Sequence, residues 1–140
     1  MNAVDRANYI PELHQLHPYV DSPVPIGCGQ TISAPHMHKH ALELLFDQIS
    51  KPNAKVLDVG SGSGLFTVLA ARLNPSATIY GIDCFPELVN QSIANISKSD
   101  RELLDTGRVR FYLGNGWKGL AEHEVCRRWW WFLRRLNDNH

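Results

Sequence analysis

Residues 56–64 read VLDVGSGSG, and an apolar helical pattern opens directly behind them at Leu65. An aliphatic run that ends in alternating glycines and passes straight into a helix is a strand, a tight turn and a helix start. Glycine suits such a turn for two reasons: it reaches positive φ cheaply, and it lets backbone amides approach a ligand closely. The spacing is GxGxG over Gly60, Gly62 and Gly64, whereas the dinucleotide fingerprint is GxGxxG. That spacing argues against a nicotinamide-dependent oxidoreductase. Neither Ser61 nor Ser63 completes GxSxG, so the nucleophile elbow of hydrolases is absent, and so is a P-loop lysine.

Working outward, three runs of β-branched and aliphatic residues predict strands over Lys55–Val59, 78–82 and Val109–Leu113. Between them Leu65, Val68, Leu69 and Leu73 share one helical face ending at Asn74-Pro75. A second helix places Leu88, Val89, Ile93 and Ile96 together after Pro86-Glu87. Strand, helix, strand, helix, strand is the order of an α/β, Rossmann-like parallel sheet with flanking helices, wound right-handedly, with ligand at the carboxyl ends of the strands. Upstream, Ser33 is positioned to cap a helix whose first turn holds Pro35; Met37, Ala41, Leu44, Leu45 and Ile49 carry it to about Lys51, and Pro52 stops it. Residues 1–30, with Pro11, Pro18, Pro23 and Pro25, read as an ordered arm or loop.

Two acids flank the glycine turn. Asp83 closes the second strand 23 residues beyond Gly60, where a carboxylate can accept both hydrogen bonds of a ribose diol; the alternative is a helix cap. Asp58 ends an otherwise apolar strand, either capping the loop amides or meeting a cationic aminopropyl end of the cofactor. His36, His38 and His40 alternate, and alternate helical positions point about 200° apart, so no metal site is expected and one histidine faces the pocket.

Composition bounds the rest. At 140 residues and 44% hydrophobic content the chain fits one core, and Lys plus Arg equals Asp plus Glu at 14 each. No global field draws it to nucleic acid or an acidic membrane surface, and no membrane span is expected. Cys28, Cys84 and Cys126 form no disulfide framework or CxxC pair, which suggests reduced thiols and a cytoplasmic (cytosolic) protein. Oligomeric state is left open.

The run from Gly29 to His38, GQTISAPHMH, followed by Ala41-Leu42-Glu43, resembles the signature of protein-L-isoaspartate O-methyltransferases. Pro18-Tyr19-Val20-Asp21-Ser22-Pro23, the 56–64 turn, Gly81-Ile82-Asp83 with Glu87-Leu88-Val89, and Gly107-Arg108-Val109 continue the likeness over roughly residues 4–124. The resemblance implies a repair enzyme that uses S-adenosyl-L-methionine to methylate the carboxyl of isoaspartyl residues in damaged proteins and peptides, which would be its partners. Carried over by position, Ser33 matches an active-site serine that positions rather than attacks. Gln30, Thr31, Ile32, Ser33 and His38 match cofactor or substrate contacts, Asp83 the ribose-binding acid, and Asn115 and Gly116 an Asp-Gly pair beside the adenine. Asp58, Gly60, Gly62 and Gly64 complete the expected cofactor site.

The chain also departs from that family. Asn115 replaces the aspartate, at a cost of roughly 1 kcal/mol in an adenine hydrogen bond, and Trp117 replaces an arginine. After residue 124 the pattern would continue with a fourth strand and the remaining half of the sheet. Residues 125–140, with Trp129 to Leu133 between two arginine pairs, do not resemble it. The expected organisation is a partial methyltransferase domain over 1–124, with an arm over 1–32 and a cofactor-binding half over 33–124, and a divergent tail over 125–140. The tail reads as an altered carboxyl terminus or as an interfacial, partner-binding stretch. A non-catalytic fragment that holds cofactor or peptide is the alternative function.

Overall fold

The structure is a computed structural model that describes residues 4–116. Five strands and four α-helices follow in chain order: β1 Val24–Gly27, β2 Gln30–Ile32, α1 Pro35–Ile49, β3 Lys55–Val59, α2 Leu65–Leu73, β4 Thr78–Asp83, α3 Pro86–Ile96, α4 Arg101–Asp105 and β5 Val109–Leu113. β3, β4 and β5 form one parallel sheet in that order, with Leu57 opposite Tyr80 and Gly81 opposite Phe111. The α/β reading therefore holds, and α2 and α3 supply the crossovers that parallel pairing requires. Asp83 joins β4 as its last residue, one beyond the expected strand end.

β4 lies between β3 and β5 and is buried along nearly its whole length. One sheet face carries Ile79 and Val109 into the main core, against Val68 and Leu69 of α2 and Leu88 and Ile96 of α3. The opposite face carries Leu57, Tyr80 and Ile82 with Val59 and Tyr112. Side chains alternate across a strand, so apolar residues at successive positions of β4 mark a sheet buried on both faces. Gly81 is the tight point: a Cβ there would stand 2.5 Å from Phe111 Cδ1.

Residues 4–34 are more than an arm. Short 3₁₀ turns at Arg6–Tyr9 and Glu12–His14 lead into the β1–β2 hairpin, in which Gly27 pairs with Gln30 around a two-residue turn. Both turn residues have positive φ, Cys28 at 54° and Gly29 at 68°, as a type I′ turn demands. Cysteine is an unusual residue for that conformation, and Pro25 suggests no strand, so the hairpin carried no recognisable signal. The segment is fastened to α3 and α4: Tyr9 is fully buried and its hydroxyl donates to Asp100 at 3.0 Å, and Arg72 Nε donates to the same carboxylate at 3.1 Å.

The start of α1 corrects the expected Ser33 cap. Ala34 occupies the N-cap without a side-chain bond, and Ser33 lies one residue outside. Asp21 does the capping instead, accepting from the His36 amide at 3.0 Å across 15 residues of sequence. The helix also stops at Ile49, short of Lys51, and Asn74 Nδ2 donates to the Ile49 carbonyl at 2.7 Å. α4 was not anticipated from sequence; at five residues it is too short to show a period.

Replacing Gly81 by alanine should lower stability by about 1–3 kcal/mol through overpacking against Phe111. Urea denaturation should show a lower midpoint with an unchanged slope. Leu13→Ala, at a position 85% exposed, should stay within about 0.5 kcal/mol of the parent.

Candidate functional site

The glycine turn after β3 adopts the geometry that only glycine takes without strain, with φ of +76° at Gly60, +53° at Gly62 and +89° at Gly64. Its amides do not face outward. Gly60 and Ser61 N–H both donate to the Ile82 carbonyl, at 2.8 and 3.2 Å, and Gly62 N–H donates to Asp83 Oδ2 at 3.0 Å. Gly64 N–H donates back to Ser61 O at 2.8 Å. The expectation that the glycines free amides for a ligand is corrected: three of those four tie the turn to the end of β4, and the fourth closes the turn on itself. Gly64 is the N-cap of α2, and a Cβ on it would press on Ser92 at 3.0 Å and Phe111 at 3.2 Å, so it serves close packing.

Beside the turn lies a cleft of about 120 Å³. Thr31, Ile32 and Ser33 line one wall with His38 of α1, and Asp58, Gly60 and Gly62 line the other. Seven expected site residues are thus gathered at one cavity by three elements far apart in sequence. Gln30, Gly64, Asp83, Asn115 and Gly116 do not line it. Asp83 sits behind the turn, its Oδ1 also accepting from Phe85 N–H at 3.1 Å. Gly116 packs tightly against Val59, which does line the cleft. Trp117 and residues 125–140 lie outside the described residues.

Asp58 is 5% exposed and receives the Thr67 hydroxyl at 2.6 Å. That bond replaces the loop-amide cap weighed from sequence. Burial pushes its carboxyl up to about 6, against the pull of the Thr67 bond, and nearby Asp83 adds to the rise. Among the described residues neither carboxylate has an ion-pair partner. His38 is the histidine that reaches the cleft. Its ring lies 6.2 Å from Phe66, and burial with the Arg6 charge pushes its pKa down to about 4, so it is neutral at pH 7. His36 turns away to Asp21 at 2.8 Å, and among the described residues no group of three side chains could hold a metal.

Two buried polar atoms on the cleft, His38 Nδ1 and Ser61 Oγ, have no hydrogen-bond partner. Such atoms are costly to leave unpaired, and both belong to residues that line the cleft. Ser61, Phe66, Thr67 and Arg6 are the site residues that sequence reasoning missed. Only Ser61 had a signal, lying between the glycines. Thr67 shares a helical stretch with core residues, and Arg6 lies 27 positions from its partner Ser33.

A family model described as Protein-L-isoaspartate(D-aspartate) O-methyltransferase (PCMT) matches residues 1–124. The chain is 44% identical over 130 residues to a protein-L-isoaspartate O-methyltransferase of Triticum aestivum, covering 89% of this chain and 55% of that protein. It is 43% identical over 123 residues to one of Caenorhabditis elegans, covering 87% and 52%. A crystal structure from Plasmodium falciparum, described as a protein-L-isoaspartate O-methyltransferase in complex with S-adenosyl-L-homocysteine, superposes with a TM-score of 0.75 at 38% identity, covering 86% of this chain and 56% of that one. The chain spans about half the length of these relatives. Matched by that family model over residues 1–124, the chain belongs to the protein-L-isoaspartate(D-aspartate) O-methyltransferase family.

Proposed function

We propose that the cleft takes S-adenosyl-L-methionine, and that the protein transfers methyl to the carboxyl of isoaspartyl residues in damaged proteins, in the cytosol. The observation that carries this reading is the buried Asp58 carboxylate, without an ion-pair partner among the described residues, on a cleft where the amides of Gly60, Ser61, Gly62 and Gly64 are engaged within the protein. Such a site disfavours phosphate and suits a cationic group, as the α-ammonium and sulfonium of this cofactor provide. The orphaned His38 Nδ1 and Ser61 Oγ add two polar contacts for such a ligand.

S-adenosyl-L-methionine, when bound, supplies an electrophilic methyl group. The remaining work falls to the chain. Asp58, oriented by Thr67, accepts from the cationic amino end. Asp83 keeps lone pairs after its two backbone bonds and can accept from the ribose diol. The family resemblance assigns Asn115 and Gly116 to the adenine side, and Gln30, Thr31, Ile32, Ser33 and His38 to the wall that receives cofactor and substrate. Phe66, Met37 and Ala41 help keep that wall dry. An isoaspartyl carboxylate is ionised at neutral pH, so no strong base is needed; aligning two bound reactants is worth about 7–11 kcal/mol. Neutralisation of carboxylate by sulfonium as the methyl moves is favoured in a dry site.

The half-length span supports a second reading, a unit that binds cofactor without turnover, and the same experiment separates the two. Calorimetry with S-adenosyl-L-homocysteine should detect binding, and labelled methyl should pass to an isoaspartyl peptide but not to its aspartyl twin. Binding without transfer leaves the second reading; no binding sinks both. Ser33→Ala should lower kcat more than it weakens S-adenosyl-L-homocysteine binding.

Binding should also titrate with Asp58. The cation is held by the ionised carboxylate, so affinity should be full above about pH 6 and fall as the group protonates. One proton linked at that value gives about a tenfold weakening at pH 5. Asp58→Asn should flatten the profile. Thr67→Val removes the bond that lowers the Asp58 pKa, and should shift the midpoint upward.

A further inference from the structure

Arg6 is 7% exposed, and among the described residues no carboxylate lies within ion-pairing distance of it. Its guanidinium is hydrogen-bonded to backbone instead, with the Asp21 charge acting on it at longer range. Nε donates to the Pro18 carbonyl at 2.8 Å, Nη1 to the Ser33 carbonyl at 2.9 Å, and Nη2 to the Ser22 carbonyl at 3.5 Å. A buried cation is costly, and this one is held by joining three segments that have little regular structure between them. One segment is the link between β2 and α1, whose Ser33 lines the cleft. Another is the 18–22 loop, whose Asp21 caps α1 at the turn carrying His36.

We propose that Arg6 is a positioning residue of the cleft: by clamping the Ser33 peptide to the 18–22 loop it fixes Ser33 and the first turn of α1, and so His38, opposite Asp58. The functional weight of this clamp rests on the reading of the cleft as a ligand site; its geometry does not. Without the clamp the Ser33 carbonyl loses its donor, and Ser33 depends on its neighbour Ala34, which is buried and accepts from the Met37 amide at 3.0 Å. A lysine cannot replace the fork, because one ammonium on a flexible stem does not span three carbonyls in fixed directions. Charge is a separable contribution. The Arg6 cation works with burial to hold His38 neutral, while Asp58 faces His38 across the cleft and Asp21 is engaged by His36 on the same helix.

The test uses the full chain with Arg6→Lys, which keeps the charge and loses the fork, and Arg6→Gln, which loses both. Amide hydrogen exchange over residues 31–37 should speed up by about tenfold or more in both variants, with β4 protection unchanged. Affinity for S-adenosyl-L-homocysteine should fall about tenfold in both. The His38 ring, followed by NMR, should keep its low pKa in Arg6→Lys and rise in Arg6→Gln, while burial, the larger cause, still holds it below the ordinary imidazole value. Methylguanidinium added to Arg6→Gln should recover part of the lost affinity. Unchanged exchange over 31–37, or equal loss of protection there and in β4, overturns the proposal. If the parent chain does not bind S-adenosyl-L-homocysteine, the functional reading fails, while exchange and the His38 titration still decide the clamp.

Discussion

The hydrogen bonds that run from the glycine turn to the end of β4 are the constraint on which the site depends. Gly60 and Ser61 share the Ile82 carbonyl and Gly62 takes an oxygen of Asp83. This fixes the carboxyl ends of β3 and β4 relative to each other and aims the turn at the cleft. It also decides the chemistry of the floor. A turn with free amides attracts anions; here the amides of Gly60, Ser61, Gly62 and Gly64 are engaged, and the charged groups beside them are the Asp58 and Asp83 carboxylates.

The opposite wall comes from the amino-terminal segment, and it is assembled by polar cross-links rather than by an apolar core of its own. Tyr9 and Arg72 meet at Asp100, Asp21 holds the first turn of α1, and Arg6 gathers the carbonyls of residues 18, 22 and 33. The segment also joins the main apolar core through Val4, Tyr9, Ile10, Ile26 and Ile32, and Ile26 of β1 rests on Gly62, where a Cβ would stand 3.1 Å from its Cδ1. The hairpin and the glycine turn therefore set each other's position, and the cleft is the gap left between them.

Buried apolar residues on both faces of the sheet explain why β4, between two partners, tolerates no bulk at Gly81 and why Gly64 is pressed against α3. These glycines look alike in sequence and do different things. Gly60 is there for its φ, with nothing near its missing Cβ, Gly81 for space, and Gly64 for both. The chain spans about half the length of its relatives. Within that span, the end of β3, the turn and the 31–38 wall fall at one cavity, while Gly116 packs on Val59 of its lining.

The strands at 55, 78 and 109, the two crossover helices and the glycine turn were legible in the sequence, because each is encoded by local periodicity and by glycine and proline at its ends. The identity of seven cleft residues was legible too, through the spacing of the family signature. What local pattern could not encode is anything made between distant segments. The cap of α1 is supplied by Asp21 and not by Ser33; the turn amides are spent on β4; Arg6 and Thr67 enter the site by reaching residues 27 and 9 positions away. The hairpin escaped because its turn uses Cys28 where asparagine or glycine would announce positive φ. Sequence determines which backbone shapes are cheap. Only the folded chain decides which hydrogen-bonding groups are satisfied and which buried ones, here His38 Nδ1 and Ser61 Oγ, are left without a partner.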